Sequence, residues 1–161
     1  MPVPACLRLH PASLVTPRRL DLAVKWRFFA HLRHGGDEDA ERVYRWHIGE
    51  RSGHRMQAGI PTDKWKQSTD DYVTSARTLL ASMQDMGFLA SGAVPVDPNG
   101  ELLDGSHRVA CALAIGVPQI SVMRLTRKAW APPWDLAWFA THGMTRADLV
   151  RVLADFDLMQ Q

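Results

Sequence analysis

The stretch 100-GELLDGSHRVACALAIG-116 constrains the fold more than any other part of this chain. From Val109 to Ile115 every residue is apolar or small. No polar stripe is left to face water, so a helix here has to be covered on nearly all sides. The turn before it has the opposite character, with Asp104, Ser106, His107 and Arg108 gathered around Gly105. A buried helix that opens with a polar, basic, glycine-centred turn places that turn at the edge of the core, and such a helix start suits an anion.

The rest of the chain has to supply the cover. At 161 residues, with 46% hydrophobic and 22% charged residues, it fits one compact domain. Residues 1–18, punctuated by proline, read as a flexible arm, and 19–161 as a single domain with its core at 60–125 and helical extensions. Leu22, Phe28, Phe29 and Leu32 predict a helix from Leu20 to about Leu32, ended by Gly35 and Gly36, with Lys25 near the middle of the apolar stripe. A second helix, from about Asp37 to Ile48, carries Ala40, Val43, Tyr44 and His47 on one face, so His47 points inward.

Residues 49–59 read as a loop and 60–71 as an extended segment leading to a helix start capped by Thr69 or Asp70. Tyr72, Val73, Ala76, Leu79, Leu80 and Met83 give the clearest helical spacing, stopped by Gly87. Short strands are expected at 93–96 and 101–103, joined by a turn over Asp97 to Gly100, and a returning strand at 119–125. Beyond Trp130 lie two helical segments rich in aromatic and apolar residues, the second opened by Thr145 and Asp148 in the manner of a capping box. These helices are the candidate surface for a homodimer. The sum is an α+β domain, a small mixed sheet with helices.

No window approaches the roughly 20 apolar residues of a membrane span, and the N-terminus lacks the apolar core of a secretory signal; a cytoplasmic protein is expected. Cys6 and Cys111 suggest neither a disulfide framework nor a cysteine metal site, and Cys111 belongs to the core. A net charge of +2 does not call for nucleic acid as the partner. Neither a short-range zinc spacing nor a Walker-type glycine loop occurs.

The DGSHR turn fits phosphate. Gly105 lets the backbone approach closely, the first-turn N–H groups donate to oxygens, and the helix dipole favours negative charge. Ser106 lies at that helix start, and Arg108 can add a bidentate contact. His107 can donate to a phosphoryl oxygen or move a proton. Asp104 can hold a divalent cation, orient His107, accept a hydroxyl proton or simply cap the helix. Lys25 reads either as a snorkelling side chain or as part of the site, and His47 either as a core histidine or as a catalytic group. Lys64 and Lys66, flanking Trp65, can grip an anionic substrate or form a solvated basic loop.

The order of helix, Gly87-Phe88, strand, turn, strand, DGSHR, buried helix and strand over residues 70–125 resembles the ParB/sulfiredoxin fold. The resemblance implies chemistry that varies between members. The reactive cysteine of sulfiredoxins falls at Ser106, so sulfinic-acid repair is not implied here. Chromosome-partitioning ParB proteins bind CTP with a Gly-Glu-Arg-Arg turn, from which Ser106 and His107 depart, and carry a helix-turn-helix module not identified in this chain. The turn is closest to the Asp-Gly-His-His-Arg turn of free serine kinases, onto which Asp104, His107 and Arg108 map, with Ser106 replacing the first histidine. Uncharacterised relatives that accompany polysaccharide assembly carry segments similar to 21-DLAVK-25 and 44-YRWHI-48. The resemblance implies an ATP- or ADP-dependent phosphotransferase with Mg²⁺, acting on a small hydroxyl compound or glycan, with Asp63 as a second acid. The alternative it implies is a non-enzymatic nucleotide-sensing or nucleic-acid-binding module.

Overall fold

A computed structural model describes residues 6–52, 66–88, 92–126 and 133–161. Among them are six helices and one small mixed sheet: α1 (Asp21–His34), α2 (Glu38–Arg51), α3 (Thr69–Met86), α4 (Ser106–Ile115), α5 (Leu136–Thr141) and α6 (Arg146–Met159), with β1 (Cys6–Leu9), β2 (Val94–Val96) and β3 (Ile120–Arg124). The architecture is α+β, as expected. The sheet order is β1-β3-β2, with β3 antiparallel to β1 and parallel to β2.

The N-terminal region departs from the expected loose arm from Cys6 onward. Cys6–Leu9 pairs along β3, with Leu9 opposite Ile120, and a 3₁₀ turn at Pro11–Leu14 then buries Leu14 and Val15. Proline punctuation looks like an arm in sequence. Here Pro11 opens the 3₁₀ turn instead, where its fixed φ is an advantage.

Helix starts follow the chemistry of their first turns. Asp37 accepts the Ala40 N–H at the start of α2. At α3 the cap is Ser68, not Thr69 or Asp70: Ser68 and Asp71 satisfy each other's backbone N–H groups as a capping box. Thr145 accepts the Asp148 N–H at α6, but the Asp148 carboxylate turns away to Arg42 of α2, 2.7 Å distant.

After β2 the chain turns tightly at Asp97, whose carboxylate accepts the N–H groups of Asn99 and Glu101. Of the expected strand at 101–103 only a single antiparallel bridge from Leu102 to Val96 forms. Helix α4 is the centre of the core. Val109, Ala110, Cys111 and Ala112 have no exposed surface, and α1 packs along it more extensively than any other helix. Burial pushes the Cys111 thiol up to about 12, which leaves it unreactive. Among the described aromatic residues of the C-terminal region Phe139 is fully buried and Trp134, Trp138 and Phe156 are half-buried, while α6 exposes Val150 and Leu158. No helix among the described residues is long and apolar enough to cross a membrane.

Gly105 is the joint between β2 and α4. Its φ is +85°, and a Cβ there would lie 2.7 Å from Cγ1 of the fully buried Val94 and 2.8 Å from Nη2 of Arg108. Gly36 has a similar φ of +80° but open space around it. Gly36→Ala should therefore cost about 1 kcal/mol, from the left-handed backbone alone. Gly105→Ala should cost at least about 1 kcal/mol more, from crowding against Val94. Urea midpoints of the two variants check the difference.

Candidate functional site

The site begins with charge inside the core. Asp21, at the first turn of α1, is fully buried and binds two cations. Arg19 grips it with two hydrogen bonds, of 2.8 and 2.9 Å, and Lys25, one turn along the helix, donates at 2.7 Å. Arg19 also donates to the Leu102 carbonyl, which fixes the start of α1 against the turn after β2. Lys25 donates its second hydrogen bond to Ser106 Oγ, at 2.8 Å, on the first residue of α4. The sequence placed Lys25 in an apolar stripe where snorkelling was one reading. The side chain is instead wholly buried and reaches across the core to the DGSHR turn.

Two cations thus share one carboxylate beneath the start of α4. Burial works to raise Asp21, but Lys25 and Arg19 outweigh it and hold the carboxyl below the usual carboxylate range. Burial pulls Lys25 down to about 7 against the attraction of Asp21, with Arg51 and Arg19 adding repulsion. Arg19 and Asp21 form a neutral, bidentate pair, and Lys25 is the member that gives up a proton near neutrality.

At the turn, Val109 is the first residue whose N–H bonds back, to the Gly105 carbonyl. The N–H groups before it lack an intrahelical acceptor. Asp104 is exposed and one of its oxygens accepts the Gly105 N–H at 2.7 Å. Arg108 curls over the turn and donates to the Gly92 carbonyl at 3.2 Å. His107 Nε2 lies 2.8 Å from the Tyr44 hydroxyl, and its ring meets Phe29 and Tyr44 edge-on. Burial, reinforced by Lys25, Arg51 and Lys66, lowers His107 well below the ordinary histidine value, so the ring is neutral and held in orientation by Tyr44.

His107 also lines a pocket of about 210 Å³ with Lys66, Tyr72, Ser75, Ala76 and Leu79. Over the Tyr72 ring lie two cations, Lys66 at 4.5 Å and Arg51 at 5.1 Å from its centroid. The structure therefore brings together Lys25, Gly105, Ser106, His107 and Arg108, with Asp104 exposed at the turn and Lys66 in the wall of the pocket that His107 lines. Asp63 and Lys64 lie outside the described residues.

His47 does not line the pocket. Its ring sits among Trp134, Trp138 and Phe139, each centroid within 5.5 Å, and neither ring nitrogen has a hydrogen-bond partner among the described residues. Burial and the nearby Lys25 keep it neutral, well below the ordinary value. Sequence reading gave no role to Arg19, Arg51 or Tyr72. Arg19 precedes the first periodic apolar face, Arg51 continues the inward face of α2 one turn beyond the expected end at Ile48, and Tyr72 reads as ordinary core. For Tyr44 the signal was its i, i+3 pairing with His47 on an inward face, which located it without revealing His107 as its partner.

Compared with protein-family models, curated proteins and solved structures, the chain matches none. Among the described residues there is no group of three His, Cys, Asp or Glu side chains able to hold a metal by themselves.

Two outcomes follow. His47 and His107 bind fewer protons folded than unfolded once the pH drops below about 6.5, so the contribution of these two rings is full above that pH and is lost as it falls, by up to about 1.4 kcal/mol per unit for each ring, below the range in which Lys25 titrates. Urea titrations between pH 7.5 and 5 should show this slope, and His47→Phe should reduce it by about half. Asp21→Asn leaves Arg19 and Lys25 buried against a neutral amide and should lower stability by about 3–5 kcal/mol, read by the same titration at pH 7.

Proposed function

We propose that the protein is a nucleotide-binding phosphotransferase of kinase type, acting on a small hydroxyl compound or sugar, with phosphate held at the DGSHR turn of a ParB/sulfiredoxin-like domain. One observation carries this reading. Beneath the glycine-opened start of α4, Arg19 and Lys25 converge on the single carboxylate of Asp21, and Lys25 reaches on to Ser106 in the turn itself. Lys66 and Arg51 add charge beside the pocket that His107 lines. Cationic groups beside the start of a helix, where the helix dipole also favours negative charge, suit a bound anion.

A described cavity of about 210 Å³ suits the phosphate portion of a nucleotide and a small acceptor rather than a whole nucleotide. Asp104 offers one exposed carboxylate, which matches the way Mg²⁺ is held by one or two carboxylates together with substrate phosphates. Such an ion would neutralise the charge that develops on the transferred group. In this reading Arg108 and the first-turn N–H groups bind phosphoryl oxygens. His107, neutral and oriented by Tyr44, takes the proton of the attacking hydroxyl.

The test is binding followed by turnover. ATP, ADP and CTP, each with Mg²⁺, should be compared by thermal shift and calorimetry, and at least one should bind. Arg108→Ala and Lys66→Met, which keeps an apolar stem over Tyr72, should each weaken that binding by about 1.5–3 kcal/mol, the worth of a charged hydrogen bond, without loss of folding. Binding by the parent with no phosphoryl transfer to any hydroxyl compound would support nucleotide sensing instead. Absence of binding by all three nucleotides would end the phosphotransfer reading.

A further inference from the structure

Lys25 is surplus to the charge balance around it. Arg19 already satisfies both oxygens of Asp21, so the pair is neutral without a third member. The Lys25 stem and head are fully buried, and Trp134 lies 5.2 Å from its nitrogen, with its ring beneath it. Among the described residues its one hydrogen-bond partner besides Asp21 is the Ser106 hydroxyl, at 2.8 Å. Burying a lysine charge is costly, and this one is directed at a hydroxyl as well as at the carboxylate. An amine that can shed its proton while touching a serine hydroxyl at a helix start is the arrangement of a nucleophile and its base.

We propose that Ser106 is a catalytic nucleophile, activated by Lys25, that accepts a phosphoryl group and becomes a transient phosphoserine. In the first step the bond from Ser106 Oγ to phosphorus forms as the bond from phosphorus to the leaving nucleoside diphosphate breaks, with its electron pair departing on the diphosphate oxygen. The hydroxyl proton passes to Lys25 Nζ, and the new ammonium is held by Asp21. In the second step the acceptor hydroxyl attacks phosphorus and loses its proton to His107, while Ser106 Oγ leaves and recovers its proton from Lys25. The first-turn N–H groups of α4 face the oxygens on which charge develops. The donor in this scheme rests on the nucleotide reading above; the nucleophile does not.

The groups that face Lys25 are Asp21 on its own helix, Arg19 before it, His47 and Arg51 on α2, and His107 on α4. Both histidines are neutral, so the base titrates against fixed neighbours. Ser106 is 8% exposed, which calls for a small phosphorus electrophile as the probe. Diisopropyl fluorophosphate serves: serine oxygen displaces fluoride, and the hydroxyl proton goes to Lys25.

The full chain should take up one diisopropylphosphoryl group, mapped to Ser106 by mass spectrometry. The rate should rise about tenfold from pH 6 to 8 and then level off, as for a base that titrates near 7. Lys25→Met, checked for folding, should slow labelling by about 100-fold or more. No adduct at Ser106, a rate that climbs through pH 9 without a plateau, or a folded Lys25→Met that labels like the parent would overturn the proposal. The pH profile of the parent decides the matter even if the variant does not fold. Nucleotide binding, measured on the same sample, separates the two readings: labelling without binding keeps the nucleophile and removes the nucleoside triphosphate donor, whereas binding without labelling removes the nucleophile alone.

Discussion

A single buried carboxylate organises this molecule. Asp21 is reached from one side by Arg19, which also holds the Leu102 carbonyl, and from the other by Lys25, which also holds Ser106. Two segments far apart in the chain, the start of α1 and the stretch from Leu102 to Ser106 that leads into α4, are thereby fixed relative to one another within hydrogen-bonding tolerance. Hydrophobic burial alone tolerates sliding between such segments. Buried ion pairs seldom improve on apolar packing in net stability, so the value of this one lies in the position it imposes on the turn.

The same arrangement separates two kinds of polar environment around α4. At its start the polar groups are linked in pairs, Lys25 with Ser106 and His107 with Tyr44, next to a pocket open to ligands. Behind Lys25 lies an aromatic enclosure in which His47 is bounded by Trp134, Trp138 and Phe139, with neither ring nitrogen paired among the described residues. Trp134 belongs to both. It lies against His47 and also against Arg19, Lys25 and Arg51, so the aromatic wall limits access of water to the charged cluster as well as filling space.

Much of the local structure was legible in the sequence because it rests on period and punctuation. The buried α4, the amphipathic α3 and the turn at Asp97 follow from apolar runs, i, i+3, i+4 spacing and turn residues. The placement of Lys25 was half legible: its position in an apolar stripe was plain, but an inward lysine and a snorkelling one share the same spacing, and only the position of Ser106 separates them. Strand β1 was missed because four residues beside prolines carry little periodic signal, and the partner that makes them a strand lies at the other end of the fold. Arg19 was missed for a related reason. Its partners are a carboxylate two residues on and a carbonyl brought close by tertiary structure, and neither leaves a pattern.

The sheet order has a consequence for how the chain reaches this state. Strand β3, in the middle, is the last of the three to be synthesised, and β1, one of its neighbours, is the first. While the ribosome makes α1 to α4, β1 has no partner, and its apolar positions and backbone edge wait for a strand not yet translated. Such long-range pairing slows folding and prolongs the exposure of unpaired edges. The early helices can gather around Asp21 in the meantime, since that contact needs only residues 19–106. Closure of the sheet then comes late, and the interval before it is when a nascent chain of this topology is most exposed to self-association and most dependent on chaperones.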